Sequence, residues 1–220
     1  KPVMGRDTYI VTIQNGVSGA DLIGEVLGHG KVLPGSTYII SHLEAPGVIR
    51  HMGQFQRIVF GEVDGSMSAR GKAFEQLCKD SDIDVEFSDK VLTTMWEKFI
   101  PLTVMSGMTS LLRLPIGPIL ADPDLSAMVD AAVEEAVSVG RAKGVELHEK
   151  AATRVQKSVR MAPYDTKASM LIDLERGKKM ELPWLSASVA QWGEELGVPT
   201  PTHKLIATAL KPYAAGAPKA

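Results

Sequence analysis

The chain has 220 residues, a formal net charge of −2 at pH 7 and 45% hydrophobic residues. This composition is typical of globular proteins and supplies enough apolar surface for one large domain or two smaller ones. Acidic and basic side chains are mixed along the chain, which excludes a basic stripe for nucleic acid. The single cysteine, Cys78, can form no internal disulfide, and with the polar first residues it predicts a cytoplasmic protein.

Residues 1–87 have the pattern of an α/β domain. A β-branched and aromatic run at residues 8–13 predicts a buried strand that stops at the turn signal Gln14-Asn15-Gly16. Ser18 is placed to cap a helix that ends at Gly28. The other predicted elements are a strand at 31–42 with a turn at Pro34-Gly35, a strand pair at 48–51 and 57–63, a helix at 68–79 and an edge strand at 83–87.

Residues 88–220 show helical periodicity. Asp122 and Pro123 form a helix-start signature, and Gly144 ends the same helix. The predicted helices of this part cover residues 89–112, 122–143, 166–176, 183–196 and 200–211. The longest uncharged run, 99–112, is shorter than the roughly 20 residues that span a bilayer, so we expect no contact with a membrane.

Lys98 is the residue that most strongly suggests chemistry. At 100° per residue its helix face also carries Val91, Met95, Leu102 and Met105, so a charged side chain stands within an apolar stripe. Such a lysine either extends its ammonium group to water or is held in a cleft as a proton donor to a developing alkoxide. The sequence pattern alone leaves both interpretations open.

Four further polar residues are candidates for a site. Glu181 stands at a predicted helix start, where a carboxylate either stabilises the helix or pairs with a lysine. Asn15 follows a predicted strand, at the position where open α/β sheets bind ligands, although Asn-Gly is often only a turn. Ser169 and Asp173 share a helix face, as residues of an exposed polar face also would. The five histidines show no metal-ligand spacing, so no metal site is predicted.

Several segments, taken in order, resemble the ketopantoate reductase (2-dehydropantoate 2-reductase) family. They are Thr12-Ile13-Gln14-Asn15-Gly16-Val17, Glu44-Ala45-Pro46-Gly47-Val48-Ile49-Arg50-His51, Ile58-Val59-Phe60-Gly61-Glu62, Trp96-Glu97-Lys98-Phe99, and Ala168-Ser169-Met170-Leu171-Ile172-Asp173 with Gly177 and Glu181. The resemblance implies an α/β domain followed by an all-α domain, as in 6-phosphogluconate dehydrogenase. Residues 1–87 would be the C-terminal part of a Rossmann-type domain without its glycine-rich front, and residues 88–220 a helical substrate domain.

The resemblance also implies NADPH-dependent reduction of a 2-oxo acid, 2-dehydropantoate or a related one, as in pantothenate biosynthesis. Lys98 would protonate the oxygen as hydride reaches the keto carbon, and Glu181 would orient Lys98 or touch the substrate hydroxyl. Asn15 would lie where cofactor and substrate meet. Ser169 would bind the substrate acid, with Asp173 in support.

Two departures from the family pattern modify these expectations. Leu102 and Ser106 stand where the family usually has asparagines, which predicts a different or more apolar 2-oxo acid. The nearest glycine cluster, Gly28-His29-Gly30, ends a helix, and a pyrophosphate binds at the opposite end of a helix. We therefore expect this chain alone to bind NADP(H) weakly or not at all.

Two other functions compete with the reductase at this stage. The first is a non-catalytic helical module for binding or oligomerisation, in which Lys98 and Glu181 would lie far apart or point to solvent. The second is a paralogous hydroxyacid dehydrogenase with a different substrate. The sequence also leaves open whether an apolar helix face makes the protein a homodimer.

Overall fold

The computed structural model describes residues 4–218, apart from the side chains of His42, Gln54 and Phe55. By their internal contacts the residues form two compact units, Lys1–Met95 and Trp96–Ala220. The division falls within one long helix, and the domain limit at residue 88 stays a prediction.

The first unit combines a mixed sheet with helices, as predicted. Its main elements are β1 (Ile10–Thr12), α1 (Gly19–Leu27), β2 (Val32–Ala45), β3 (Val48–Phe60), α2 (Ala69–Asp80) and β4 (Val85–Phe87). The strands lie in the order β1-β2-β3-β4, and β4 is an edge strand as predicted. The pairs β1–β2 and β3–β4 are parallel, whereas β2 and β3 are antiparallel.

A long hairpin formed by β2 and β3 corrects two predictions. The predicted turn at Pro34-Gly35 is wrong, because β2 continues through both residues. A Cβ atom on Gly35 would lie only 2.9 Å from the carbonyl oxygen of Val59, so this glycine permits close strand packing instead of a turn. The predicted pairing of residues 48–51 with 57–63 is also wrong, since both segments lie along β3 and pair with β2.

The core of the first unit lies where the sheet meets α2. Leu33, Phe60, Val85 and Phe87 are buried there with Cys78. The rings of Phe60 and Phe87 stack with their centroids 5.1 Å apart. Burial raises the pKa of the Cys78 thiol, which keeps it protonated and unreactive at neutral pH. Cys78 therefore acts as a small buried hydrophobe.

The second unit is helical in the part that the structure describes, residues 96–218. Its helices are α3 (Val91–Leu112), which begins before the division, α4 (Ile116–Ala121), α5 (Pro123–Ala142), α6 (Ala151–Arg160), α7 (Ser169–Glu175), α8 (Ser186–Leu196) and α9 (Pro201–Leu210). Asp122 caps α5 as predicted, since its Oδ1 accepts the backbone N–H groups of Asp124 and Leu125. The sequence did not predict α4 or α6. No helix in the described residues is long and apolar enough to cross a membrane.

A buried polar network joins α5 to α9. The carboxylate of Glu135 accepts hydrogen bonds from the backbone N–H groups of Thr202 and His203, each at 2.9 Å. Nε2 of His203 lies 3.0 Å from the carbonyl oxygen of Ala132. Burial lowers the pKa of His203, while the hydrogen bond to Ala132 and the charge of Glu135 act in the opposite sense. His203 is therefore neutral in the folded protein near neutral pH.

We expect the free energy of unfolding to fall as the pH decreases below about 6.5, the ordinary pKa of histidine. The reason is that only the unfolded chain protonates His203 between this value and the lowered pKa of the folded state, which costs up to about 1.4 kcal/mol per pH unit. At pH values above this window the imidazole of His203 is neutral in both the folded and the unfolded protein. His203 then adds no pH dependence to the free energy of unfolding. Urea unfolding measured between about pH 5 and 8 tests this.

The matched variants are His203→Gln and His148→Gln. His203→Gln retains a donor toward the carbonyl oxygen of Ala132 but cannot titrate, so its unfolding free energy should depend less on pH than that of the wild type. His148→Gln makes the same substitution at an exposed histidine and controls for the loss of a histidine as such. Equal slopes for the wild type and His203→Gln would contradict the assignment.

Candidate functional site

Lys98 lies on a partly accessible stripe of a mostly buried helix. From Trp96 to Ser110 on α3, the half-buried residues are Lys98, Pro101, Leu102 and Met105. Their spacing of i, i+3, i+4 and i+7 places them on one helix face. Glu97 is exposed on an adjacent face, and the remaining residues of this segment are buried. Lys98 is therefore the one ionisable side chain on the half-buried stripe, and we name Pro101, Leu102 and Met105 the apolar floor.

The other faces of α3 are fixed by tight helix packing. The rings of Trp96 and Phe99 lie 5.8 and 6.2 Å from the ring of Trp192 on α8. A Cβ on Gly107 would be 2.7 Å from Oγ of Ser186 and 3.0 Å from Cδ1 of Ile206, so α8 and α9 approach closely there. Trp96 and Phe99 are core residues. This packing holds the backbone of Lys98 in a defined position.

Lys98 and Glu181 interact electrostatically and form the centre of the candidate site. Withdrawal from water lowers the pKa of the Lys98 ammonium group, and the negative charge of Glu181 acts to raise it. Both side chains are half-buried. Charges in such a place are less screened than at the surface, so each has more influence on the other. The structure thus brings together the two residues for which the sequence suggested a catalytic role.

Glu181 is held in place by its immediate neighbours. It precedes a short 3-10 turn, Leu182–Trp184, but its side chain makes no capping hydrogen bond to that turn. Met180 and Leu182 are almost fully buried on either side of it. The side chain of Glu181 therefore does not act as a hydrogen-bonding cap of this turn. The anchored neighbours instead present the carboxylate from a fixed backbone.

Ser169 and Asp173 lie one turn apart on α7, in the same unit as Lys98 and Glu181. Ser169 is the first residue of α7 and is exposed, whereas Asp173 is half-buried. The carbonyl oxygen of Asp173 accepts the N–H of Lys178 at 2.8 Å, which fixes the chain as it leaves the helix. Their shared face is as predicted, and their roles toward a substrate stay predictions.

Asn15 lies in the first unit, exposed in the turn between β1 and α1. Because β1 is parallel to β2, this turn is at the carboxyl end of a parallel pair, just ahead of a helix. Open α/β sheets bind nucleotides at such turns. The geometry suits one end of a dinucleotide, whereas Gly28 lies at the C-terminal end of α1, as the sequence predicted.

The sequence interpretation missed two features with chemical character. The first is Pro101 in the apolar floor, which could have been found from its position three residues after Lys98.

The second is a cavity of about 530 Å³ in the first unit. It is lined partly by Glu62 and Arg70, which form a double hydrogen bond at 2.6 and 2.7 Å. Arg70 and Ser68 lower the pKa of Glu62 against the effect of burial. Among residues 4–218, no cluster of three or more His, Cys, Asp or Glu could hold a metal ion.

Glu181→Gln should lower the pKa of Lys98 further, because the carboxylate that favours the charged ammonium group is removed. Lys98 would then become reactive toward an acylating reagent at lower pH than in the wild type. Competitive labelling across a pH series, read residue by residue by mass spectrometry, measures this shift. Glu97→Gln is the control, since Glu97 is an exposed carboxylate on the same helix. An unchanged labelling profile of Lys98 in Glu181→Gln would refute the coupling.

Comparison with known proteins gives matches along most of the chain. Residues 90–214 match the family model described as ketopantoate reductase PanE/ApbA C terminal, and residues 1–65 match ketopantoate reductase PanE/ApbA. A 2-dehydropantoate 2-reductase of Streptococcus pyogenes is 27% identical over 207 residues, which are 94% of this chain and 67% of the relative. An uncharacterised oxidoreductase of Bacillus subtilis, YkpB, is 26% identical over 98% of this chain and 71% of its own length.

Solved structures show the same fold. A PanE/ApbA family ketopantoate reductase from Ralstonia eutropha matches with a TM-score of 0.86 and 25% identity, covering 97% of this chain and 69% of that one. A D-mandelate dehydrogenase in complex with NADH gives 0.83 and 19%, covering 96% and 71%. A dimeric ketopantoate reductase from Staphylococcus aureus gives 0.83 and 20%, covering 96% and 69%. The matches support the predicted combination of a Rossmann-type α/β part and a helical part.

Proposed function

Because the chain belongs to the ketopantoate reductase family, we propose that the full-length protein reduces a 2-oxo acid, 2-dehydropantoate or a related compound, with NADPH. The family consists of oxidoreductases. The 2-oxo acid as substrate and NADPH as cofactor are what we propose for this protein. The observation that carries it is the half-buried Lys98, whose pKa is lowered by burial and raised by the charge of Glu181. A lysine in this state is a suitable acid for an oxygen that gains negative charge.

The residues of this chain would divide the work as follows. When bound, the reduced nicotinamide supplies a hydride to the keto carbon. Lys98 holds the keto oxygen and donates its proton as the C=O electron pair moves onto that oxygen, so that the product is a hydroxy acid and Lys98 is left neutral until water reprotonates it. Glu181 stabilises the ammonium form of Lys98 before the transfer. Ser169 binds the substrate acid with Asp173 in support, and Asn15 contacts the nicotinamide end of the cofactor.

The non-catalytic alternative made a different prediction about the same residues. It required Lys98 and Glu181 to lie far apart or to point to solvent. Their electrostatic interaction and their partial burial count against that alternative.

The dimeric relative from Staphylococcus aureus supports a homodimer as part of the proposal. The single buried Cys78 supports a cytoplasmic location.

The function is tested by following NADPH absorbance with 2-dehydropantoate and other 2-oxo acids. We expect turnover by a protein extended to the full length of the relatives. We expect residues 1–220 alone to bind NADPH weakly, because Asn15 is the single residue of this chain that we assign to cofactor binding. Fluorescence titration with NADPH compares the two proteins directly. A folded extended protein that binds NADPH and reduces no 2-oxo acid would overturn the proposed reaction.

Lys98→Ala should reduce kcat of the extended protein by about 10²- to 10⁴-fold, the usual contribution of a general acid. The change removes the proton donor, and because α3 is held by contacts on its other faces the circular dichroism spectrum should be unchanged. Lys90→Ala is the matched control, since Lys90 is an exposed lysine just ahead of the same helix. Turnover of Lys98→Ala within about threefold of the wild type would exclude Lys98 as the acid.

A further inference from the structure

The loop that leads from α7 to Glu181 is hydrogen-bonded to residues that follow α9. The N–H of Met180 donates to the carbonyl oxygen of Ala214 at 3.0 Å, and the N–H of Ala217 donates to the carbonyl oxygen of Gly177 at 3.1 Å. The first residue of the loop pair bonds the last residue of the other pair, so the two segments run side by side in opposite directions. The backbone directly before Glu181 is therefore held by a part of the chain more than 30 residues away.

We name residues 214–217 the clamp. Its approach to the loop is close, since a Cβ atom on Gly216, at φ +114°, would lie 2.9 Å from the carbonyl oxygen of Gly177. A side chain at this position is disfavoured both by φ and by the distance. The N–H of Lys178 also donates to the carbonyl oxygen of Asp173 on α7 at 2.8 Å. The loop is thus tied to α7 at its start and to the clamp along its length.

The clamp is itself joined to α3. It continues from α9 through a short 3-10 turn that ends at Tyr213. α9 packs closely on α3, where a Cβ on Gly107 would be 3.0 Å from Cδ1 of Ile206. The guanidinium carbon of Arg113, just after α3, lies 5.3 Å from the centroid of the Tyr213 ring. Both contacts link the clamp to the helix that carries Lys98.

We infer that the clamp positions the Glu181 carboxylate relative to Lys98, so that residues 214–217 determine how strongly this carboxylate acts on the ammonium group. The clamp acts through the backbone of Met180, the residue before Glu181, and is a positioning element for the proton donor. The inference rests on the roles of Lys98 and Glu181 in the proposed function and deepens them.

The physical basis is the dependence of a charge interaction on distance and on access to water. An attraction between charges weakens as they separate and as water reaches the space between them. A loop released from the clamp lets the Glu181 carboxylate move away from Lys98, whereas the packing that withdraws Lys98 from water stays. Loss of the clamp should therefore lower the pKa of Lys98 further.

A purely structural role of the clamp predicts the opposite direction. If its loss loosened the packing around α3, water would reach Lys98 and the pKa of Lys98 would rise toward its ordinary value. The direction of the change thus separates positioning of Glu181 from general support of the fold.

The experiment is competitive labelling of Lys98 across a pH series in the extended protein ended after Tyr213, which removes the clamp. We expect Lys98 to become reactive at lower pH than in the wild type, by a shift no larger than that of Glu181→Gln. The protein ended after Pro218 is the control, because it keeps every contact of the clamp described above. An unchanged profile, or a shift to higher pH, would overturn the inference.

Ala217→Pro covers the case in which the shortened protein folds poorly, since it removes the N–H donor to Gly177 and leaves the rest of the clamp in place. Its labelling profile should shift to lower pH, as in the shortened protein. Ala217→Ser keeps the backbone N–H at nearly the same size and should label as the wild type does. A wild-type profile in a folded Ala217→Pro protein would contradict the inference.

Combination with Glu181→Gln shows whether the clamp acts through the carboxylate. In the Glu181→Gln background, ending the protein after Tyr213 should leave the labelling of Lys98 unchanged, because the charge that the clamp positions is already gone. An additional shift of the same size in this background would refute the inference. The labelling requires no turnover, so a failure to reduce any 2-oxo acid would overturn the proposed function and leave the positioning result to be decided by these profiles.

Discussion

The ammonium group of Lys98 has to remain charged in a place that withdraws it from water. Desolvation favours the neutral amine and lowers the pKa of Lys98, and the carboxylate of Glu181 opposes that effect. The net effect is a lowered pKa of Lys98, which makes its proton easier to transfer in the proposed reaction than that of a fully solvated lysine. Without the carboxylate of Glu181, the same burial would favour the neutral amine more strongly.

This balance depends on a rigid α3. The helix is gripped by aromatic contacts with Trp192 and by the close approach of α8 and α9 at Gly107. Trp192 is in turn covered by the ammonium group of Lys143, 4.6 Å from its ring centroid, at the C-terminal end of α5. Because these contacts lie on the buried faces of α3, the stripe with Lys98 stays partly accessible. The buried network of Glu135 and His203 fixes α9 against α5 and so supports the same packing.

The elements that could be predicted from sequence are those with local chemical signatures. The cap at Asp122 and the C-terminal glycine after α8, Gly197 at φ +69°, follow from side-chain and backbone chemistry that acts over a few residues. The helix α4 has only six residues, with Gly117 and Pro118 among them, so no period could reveal it. Gly35 was wrongly taken as a turn residue, whereas its lack of a side chain permits close contact with another strand.

The site could be predicted in part for a related reason. A single lysine in an apolar helix is visible in the sequence, and Glu181, two residues before Pro183, is visible as a carboxylate at a predicted helix start. Which face of α3 stays accessible is not visible, because the helix is apolar nearly all round and its cover comes from α5, α8 and α9. Once the packing of α5, α8 and α9 on α3 is known, helix geometry determines which residues lie on the accessible face. Residues three, four and seven positions after Lys98 must share its stripe. The packing that leaves Lys98 partly accessible therefore leaves Pro101, Leu102 and Met105 partly accessible beside it.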